Sequence, residues 1–302
     1  MSTSPQHSSA PLTGIGLMLA AMIILPFLDV AAKFLGQQNM PVLESVWARF
    51  FIGVFMNVPL VLKGRSLSIL KPDMPVMHTV RAALVIASTA FFFLALAYLP
   101  IADTLAIFFV QPLAVTLLSP VILKEHVGSR RWMAVVIGFI GTLIIIRPGF
   151  QNLNPGVLLA LLSGVTSAVY VILTRKISGR AEPMVTMFHT NLAGAILMTL
   201  VIGFVWVTPT PEQWGLLLII AFIAFIGHYL VIAAYHYAEA SLLAPLAYGE
   251  MIMAVVCGWW FFSDLPDHWT FTGVGILIAC AIYISYRERV RGIPADPIPP
   301  QP

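Results

Sequence analysis

Apolar residues run from Leu12 to Tyr286 with interruptions of only a few polar residues, and prolines and short polar breaks cut this run into ten segments. The segments lie near residues 12–35, 43–62, 77–98, 101–122, 131–147, 155–175, 184–207, 213–236, 241–262 and 269–286. A helix needs about 20 apolar residues to cross the hydrocarbon layer, so the pattern predicts an all-α integral membrane protein with ten spans. The first segment lacks a preceding basic region and a cleavage-type end, which predicts a retained helix rather than a signal peptide. The proline-rich tail from Gly292 to Pro302 is expected to be disordered.

Charge then orients the spans. With the N-terminus inside, the inner connections and inner helix ends hold Lys63, Arg65, Lys71, Arg81, Lys124, Arg130, Arg131, Arg175, Lys176, Arg180, Arg287, Arg289 and Arg291, leaving Lys33, Arg49 and Arg147 as the exceptions. Lys and Arg resist translocation, so both tails are expected in the cytoplasm of a bacterial-type inner membrane, which requires an even number of spans.

The two halves resemble one another. A shift of 142 residues lays Pro41 and Arg49 on Pro183 and Asn191, and Lys33 on Arg175. A shift of 137 or 138 lays Tyr98–Ala102 on His236–Ala240, Trp132 on Trp269 and Gly138 on Gly275. Each copy holds five spans, so the second must enter the membrane from the opposite side, as two inverted-topology five-helix repeats do. The expected division is a tail at 1–11, one repeat at 12–149, a second at 150–288 and a tail at 289–302. Ala134, Gly138 and Thr142, and likewise Gly275 and Ala279, follow at four-residue spacing and predict flat faces for helix contact.

Composition narrows the function classes. The chain is 59% hydrophobic and 10% charged, which leaves no segment for a soluble catalytic domain. The net charge of +3 is scattered over short loops, so nucleic-acid binding is not supported. Cys257 and Cys280 fall inside apolar spans without partners at metal-ligand spacing, and read as packing residues. The sequence has no HExxH, GxSxG, P-loop or GxGxxG, so no catalytic set, metal site or cofactor site is expected.

Ionisable groups inside the spans carry the candidate chemistry, because a charge at the bilayer centre costs at least ~2.5–3.5 kcal/mol and persists where it faces a cavity or a partner. Glu250, with Tyr248 and Gly249 beside it, is a candidate for proton coupling or for binding a cationic solute group. Arg49, beside Trp47, suits a carboxylate or phosphate, or else a structural ion pair with Asp29 or Glu44. Asn191 is its counterpart in the second half. Gln111-Pro112 occupies the place that Gly249-Glu250 takes in the later repeat, and Pro112 can free a backbone carbonyl. Asp29 and Lys33, one turn apart, have the spacing of an intrahelical ion pair. Of His189, His228 and His236, only the deeply placed His228 enters the candidate site.

These readings describe a secondary active transporter of a small organic metabolite, amino-acid-like or otherwise zwitterionic or amphiphilic, working by alternating access. Its cavity is expected to be lined by Arg49, Gln111, Asn191, Tyr248 and Glu250, with Trp47 and His228 nearby. The expected partners are the lipid bilayer, the solute and protons as coupling ion, in a monomer or homodimer. The rivals are a membrane enzyme acting on lipid-like substrates, which would show clustered acids or histidines at one interface, and a channel or scaffold.

Leu123-Lys124-Glu125, Arg131-Trp132, the glycines Gly138 and Gly141, and Ile146-Arg147-Pro148-Gly149 resemble the EamA-type branch of the drug/metabolite transporter superfamily, and the resemblance runs from about Leu12 to Tyr286. It implies ten helices as tandem EamA repeats, and export or import of amino acids, nucleobase-like compounds, vitamins or amphiphilic drugs. The second copy departs from the pattern, with Ser263-Asp264 in place of the Lys-Glu pair and no Arg-Pro-Gly after the last span. Glu125 and Arg147, at membrane borders, are expected to be gating or structural, as are Asp29 and Lys33.

Overall fold

The computed structural model describes residues 11–63, 71–122, 129–146, 154–177, 182–238 and 243–291. Among these the chain is helical, without strands: α1 (Pro11–Ile24), α2 (Pro26–Gln37), α3 (Val42–Leu62), α4 (Pro75–Ala95), α5 (Ile101–Phe108), α6 (Val110–Ile122), α7 (Ser129–Ile146), α8 (Pro155–Lys176), α9 (Pro183–Ile202), α10 (Pro211–Tyr237), a 3-10 turn (Ala244–Tyr248), α11 (Gly249–Phe262) and α12 (His268–Arg291). Proline opens α2, α4, α8, α9 and α10 within the first two positions, where its missing N–H has no intrahelical partner to lose.

Among the described residues seven stretches are long and apolar enough to cross a membrane: Leu12–Gln37, Val42–Leu62, Pro75–Ala95, Ile101–Ile122, Pro155–Lys176, Pro183–Ile202 and Pro211–Tyr235. Three shorter apolar stretches, Val135–Ile146, Leu246–Phe262 and His268–Cys280, stand where the sequence predicts the fifth, ninth and tenth spans. The exposed surface carries Phe55, Phe139, Leu200, Phe222, Ile252, Trp260 and Phe271. Large apolar groups turned outward from nearly every element suit a hydrocarbon solvent and would be a liability in water. Cys257 and Cys280 are both buried free thiols.

Three of the predicted spans are interrupted. α1 passes into α2 at Leu25-Pro26, α5 gives way to α6 at Phe109, and the 3-10 turn becomes α11 at Gly249. Pro112 cannot donate to the carbonyl four residues before it, that of Phe108. That carbonyl lies against α8 at Gly164, where an added Cβ would sit 2.8 Å from it. Gly164 thus lets α8 close over the break between α5 and α6.

Packing between the halves is reciprocal. α1 and α2 pack on α10, as α8 packs on α4; α3 touches α10, as α9 touches α4; α5 and α6 touch α8, as the 3-10 turn and α11 touch α1. α3 with α9, α5 with α11 and α7 with α12 complete the set. Exchanging the elements of the two halves leaves this pattern of neighbours unchanged.

Local contacts give the register. At the α3–α9 crossing the ring of Phe50 fills the space over Gly194, and the amide of Asn191 lies over Gly53. Each Phe/Asn knob therefore meets the glycine three positions beyond the other, a correspondence of 141 residues rather than the 142 that aligns the prolines. The helix starts agree, since Pro41 and Glu182 are the two N-cap positions. The correction has a simple cause: Pro41 precedes its helix and Pro183 opens its own, so aligning prolines displaces the pair by one residue. Arg49 then corresponds to Thr190, and Asn191 to Phe50.

The small-residue faces also need revision. At the α7–α12 crossing, Gly141 and Gly273 face one another, with an added Cβ on Gly273 only 2.6 Å from the Gly141 carbonyl. Gly138 instead accommodates Leu113, while Gly275 meets nothing within 4 Å. Both Gly275 and Ala279 are exposed, so their stripe faces away from the crossing. The sequence spacing identified two small-residue stripes but could not tell which side of α12 met α7.

Candidate functional site

α2 contacts α3, α10 and α11, and these four helices carry Asp29, Arg49, His228 and Glu250. Asp29 is 6% exposed and within electrostatic range of both Arg49 and Glu250. Arg49 is in turn within range of His228. Its Nη1 donates to Thr89 Oγ1 on α4 at 2.9 Å. Among the described residues no carboxylate closes an ion pair with Arg49 inside 4.0 Å. One guanidinium and two carboxyl groups thus share a region enclosed by helices, unneutralised by direct pairing.

Arg49 and Glu250 are partly exposed and His228 is exposed, although all three are set among neighbouring helices. None of the three is sealed in the packed core. His228 Nδ1 lies 2.7 Å from the Ala224 carbonyl one turn back. Since that oxygen only accepts, Nδ1 is the protonated nitrogen, which leaves Nε2 as the acceptor of the neutral ring.

Aromatic groups join the two interrupted spans at this level. Tyr248, immediately before Glu250's helix, stacks on Phe109 with centroids 4.9 Å apart and planes 28° from parallel. Phe109 is the residue at which α5 breaks. Two positions further, Gln111 Nε2 donates to Ser167 Oγ on α8 at 3.0 Å. The two breaks therefore meet face to face, each adjoining a polar residue.

Other sequence-predicted residues fall elsewhere. Trp47 donates to Thr199 Oγ1 at 3.1 Å, stacks on Phe51 and meets Trp206 edge-on, in an aromatic cluster at the α3–α9 junction. Asn191 occupies the Gly53 side of the same junction, one turn along α3 from Arg49. Glu44 is no partner of Arg49: its Oε1 accepts from the Val207 backbone, and Oε2 has no hydrogen bond among the described residues. Glu125 and Arg147 lie outside the described residues.

The pairing expected between Asp29 and Lys33 is not formed. Lys33 Nζ reaches Asp264 at 2.8 Å and the Leu99 carbonyl at 3.3 Å, joining α2 to the segments that follow α4 and α11. Two features free it to do so. Asp29 turns toward the Arg49 region, and Ser263, in the left-handed conformation at φ 56°, folds Asp264 back so that its N–H bonds the Gly258 carbonyl. The Lys33–Asp264 pair is a tie, or latch in the structural sense, between these elements at one end of the bundle. Lys33→Asp is expected to lower solute transport about tenfold by setting two like charges together, and the reciprocal swap with Asp264→Lys to restore most of it. A swap no better than the single change would show that the contact has no part in transport.

Sequence reasoning passed over Thr89, Ser167, Tyr170 and Arg81. The first three are uncharged, and hydroxyls in helices commonly bond their own backbone; Arg81 looked like an orienting charge at a helix end.

Comparison with known proteins identifies the family. Residues 12–147 and 154–286 each match the EamA-like transporter family. The chain is 26% identical over 279 residues to an S-adenosylmethionine uptake transporter of Rickettsia felis, covering 92% of this chain and 94% of that protein. It is 25% identical over 281 residues to a riboflavin transporter of Vibrio cholerae, with coverage of 92% and 94%. A pseudopaline exporter of Pseudomonas aeruginosa is 25% identical over 256 residues, with coverage of 83% and 88%. A solved crystal structure shares the fold, with a TM-score of 0.63 and 18% identity over 94% of this chain and 100% of that one. With two family matches that together span nearly all its helices, this multi-pass membrane protein belongs to the EamA-like transporter family.

Proposed function

We propose that the chain is a secondary carrier of an amino-acid-like zwitterion bearing a further positive charge, bound between Arg49, Asp29 and Glu250. The observation that carries this reading is the charge count of the site: one cation and two carboxyl groups, with no ion pair closed among them. S-adenosylmethionine has the complementary set, an α-carboxylate for Arg49 and an ammonium and a sulfonium for the two carboxylates. Its adenine would stack on the Tyr248–Phe109 pair, where an aromatic base gains from a flat neighbour. Riboflavin, which has no charge to match, leaves the three groups unexplained.

Alternating access completes the reading. In it, two five-helix units at 12–149 and 150–288 face opposite ways in the bilayer, with both tails on the cytoplasmic side. The two family matches and the reciprocal packing of the halves support that arrangement. Glu250 is the proposed proton-coupling group, because a proton and a solute cation can alternately neutralise the same carboxylate. Trp47, Gln111, Asn191 and His228 are its proposed surroundings.

Counterflow of radiolabelled S-adenosylmethionine into proteoliposomes preloaded with the unlabelled compound tests the reading. Saturable exchange, competed by unlabelled S-adenosylmethionine and not by riboflavin, is expected. No exchange would remove the solute assignment, and flux proportional to concentration without counterflow would favour a channel.

A further inference from the structure

A second buried charge lies away from that site. Arg81, on α4, is 1% exposed. Its Nε donates to Thr174 Oγ1 on α8 at 3.0 Å. Its Nη1 lies 3.3 Å from His78 Nδ1, which must accept because a guanidinium has only donors. The guanidinium carbon stands 5.3 Å from the Tyr170 ring centroid, and the phenol oxygen accepts a further hydrogen bond. His78 itself faces His189, with ring centroids 5.0 Å apart. Among the described residues no carboxylate approaches Arg81 within ion-pair distance.

A nearly fully buried guanidinium whose direct partners among the described residues are neutral, with Asp73 acting only at a distance through His78, is costly, since its hydration has been given up without a contacting counter-charge. A merely structural role for α4–α8 contact is served as well by an uncharged side chain of similar length. Permanent positive charge in this position has a use if an anion visits it.

The position of Arg81 says which anion. Tyr170 lies within electrostatic range of both Arg49 and Arg81. Thr89, the hydrogen-bond partner of Arg49, is eight residues along α4 from Arg81, a rise of about 12 Å. Leu99, just beyond the far end of that helix, belongs to the Lys33–Asp264 latch. Arg81 therefore stands beyond the central charges on the side away from the latch, and Tyr170 bridges the interval.

We propose that Arg81 is a second anion station on the transport path, receiving the carboxylate that Arg49 releases as the solute moves toward the end opposite the latch. In the structure α4 and α8 are closed over it, and their parting exposes the guanidinium between Tyr170, Thr174 and the His78–His189 pair. The order of contacts follows: carboxylate on Arg49, passage along the Tyr170 hydroxyl, carboxylate on Arg81, release. The proposal rests on the carrier reading above and extends it to the exit side.

Two arms test it. In proteoliposomes, Arg81→Gln is expected to raise the KM for S-adenosylmethionine about tenfold and to leave that for decarboxylated S-adenosylmethionine unchanged, while Arg81→Lys keeps most of the discrimination. Equal effects on both compounds would overturn the station. The second arm needs no solute: in a Cys257→Ala/Cys280→Ala background, Thr174→Cys is exposed to an anionic and a cationic methanethiosulfonate of similar size. The anionic reagent is expected to react about tenfold faster, a preference lost on adding Arg81→Gln. No reaction with either reagent, or a preference indifferent to Arg81, would make Arg81 a structural clamp and overturn the proposal with the carrier reading intact. A wild-type protein that moves no S-adenosylmethionine but keeps the anionic preference would sink the solute assignment alone.

Discussion

Arg49→Ala is expected to lower kcat/KM for S-adenosylmethionine uptake by about 30-fold to roughly 1,000-fold, and Glu250→Gln to make the remaining uptake independent of pH. The size follows from removing one partner of an enclosed charge interaction, which costs about 2–4 kcal/mol because the other charge is left unmatched. Arg49 is held by Thr89 rather than by an acid, so its positive charge is unspent until a carboxylate arrives. Arg49→Lys keeps that charge but loses the planar fork, and should fall between wild type and Arg49→Ala. For Glu250 the loss of the pH effect is the readout. A carboxyl that cycles a proton makes flux depend on pH, and its amide replacement, which cannot titrate, should respond at no pH. Initial rates in proteoliposomes across pH 5–8, with thermal unfolding as a folding check, give the answer. Unaltered rates and pH dependence in both variants would dismiss this cluster as the solute site.

The second large effect is expected in stability. On α12, Gly273→Ala should lower the thermal midpoint in detergent, and Gly275→Ala, two residues away, should leave it unchanged or raise it. An added Cβ on Gly273 would lie 2.6 Å from the Gly141 carbonyl and 2.4 Å from Ile145, and a backbone oxygen cannot turn aside as a side chain can. The helices must part, at a cost of about 1–3 kcal/mol for overpacking and more for lost contact in lipid. At Gly275 nothing lies within 4 Å, so the substitution acts only through helix propensity, worth up to about 1 kcal/mol in favour of alanine. Equal midpoints for the two variants would mean that α7 and α12 do not cross at these glycines.

Much of the architecture was legible because lipid imposes so regular a code. Prolines mark the helix starts at Pro75, Pro155, Pro183 and Pro211, and the predicted spans end within a few residues of the helices observed. Arg49 and Glu250 were legible for the complementary reason, that a charge surrounded by apolar sequence needs a purpose. Asp29 was misread. At i and i+4 it stands in the best position for Lys33, but the energy of an i,i+4 pair is only about 0.2–0.5 kcal/mol, and Asp264 offers Lys33 a better-placed partner across the bundle.

The sequence alone determined the solvent of this protein, the number of apolar segments and the kinship of its two halves. These follow from composition, from the length a helix needs to cross hydrocarbon, and from residue types at fixed offsets, all local along the chain. Only the tertiary structure decided that Asp29 lies within range of Arg49 and Glu250, that Lys33 joins Asp264, that Phe50 and Asn191 exchange glycines at a register of 141, and that Tyr170 lies within range of both Arg49 and Arg81. Those facts depend on the rotation of each helix about its axis and on which neighbour it meets. In lipid, a span apolar on every side carries no amphipathic stripe to announce that rotation, so close packing between helices settles it.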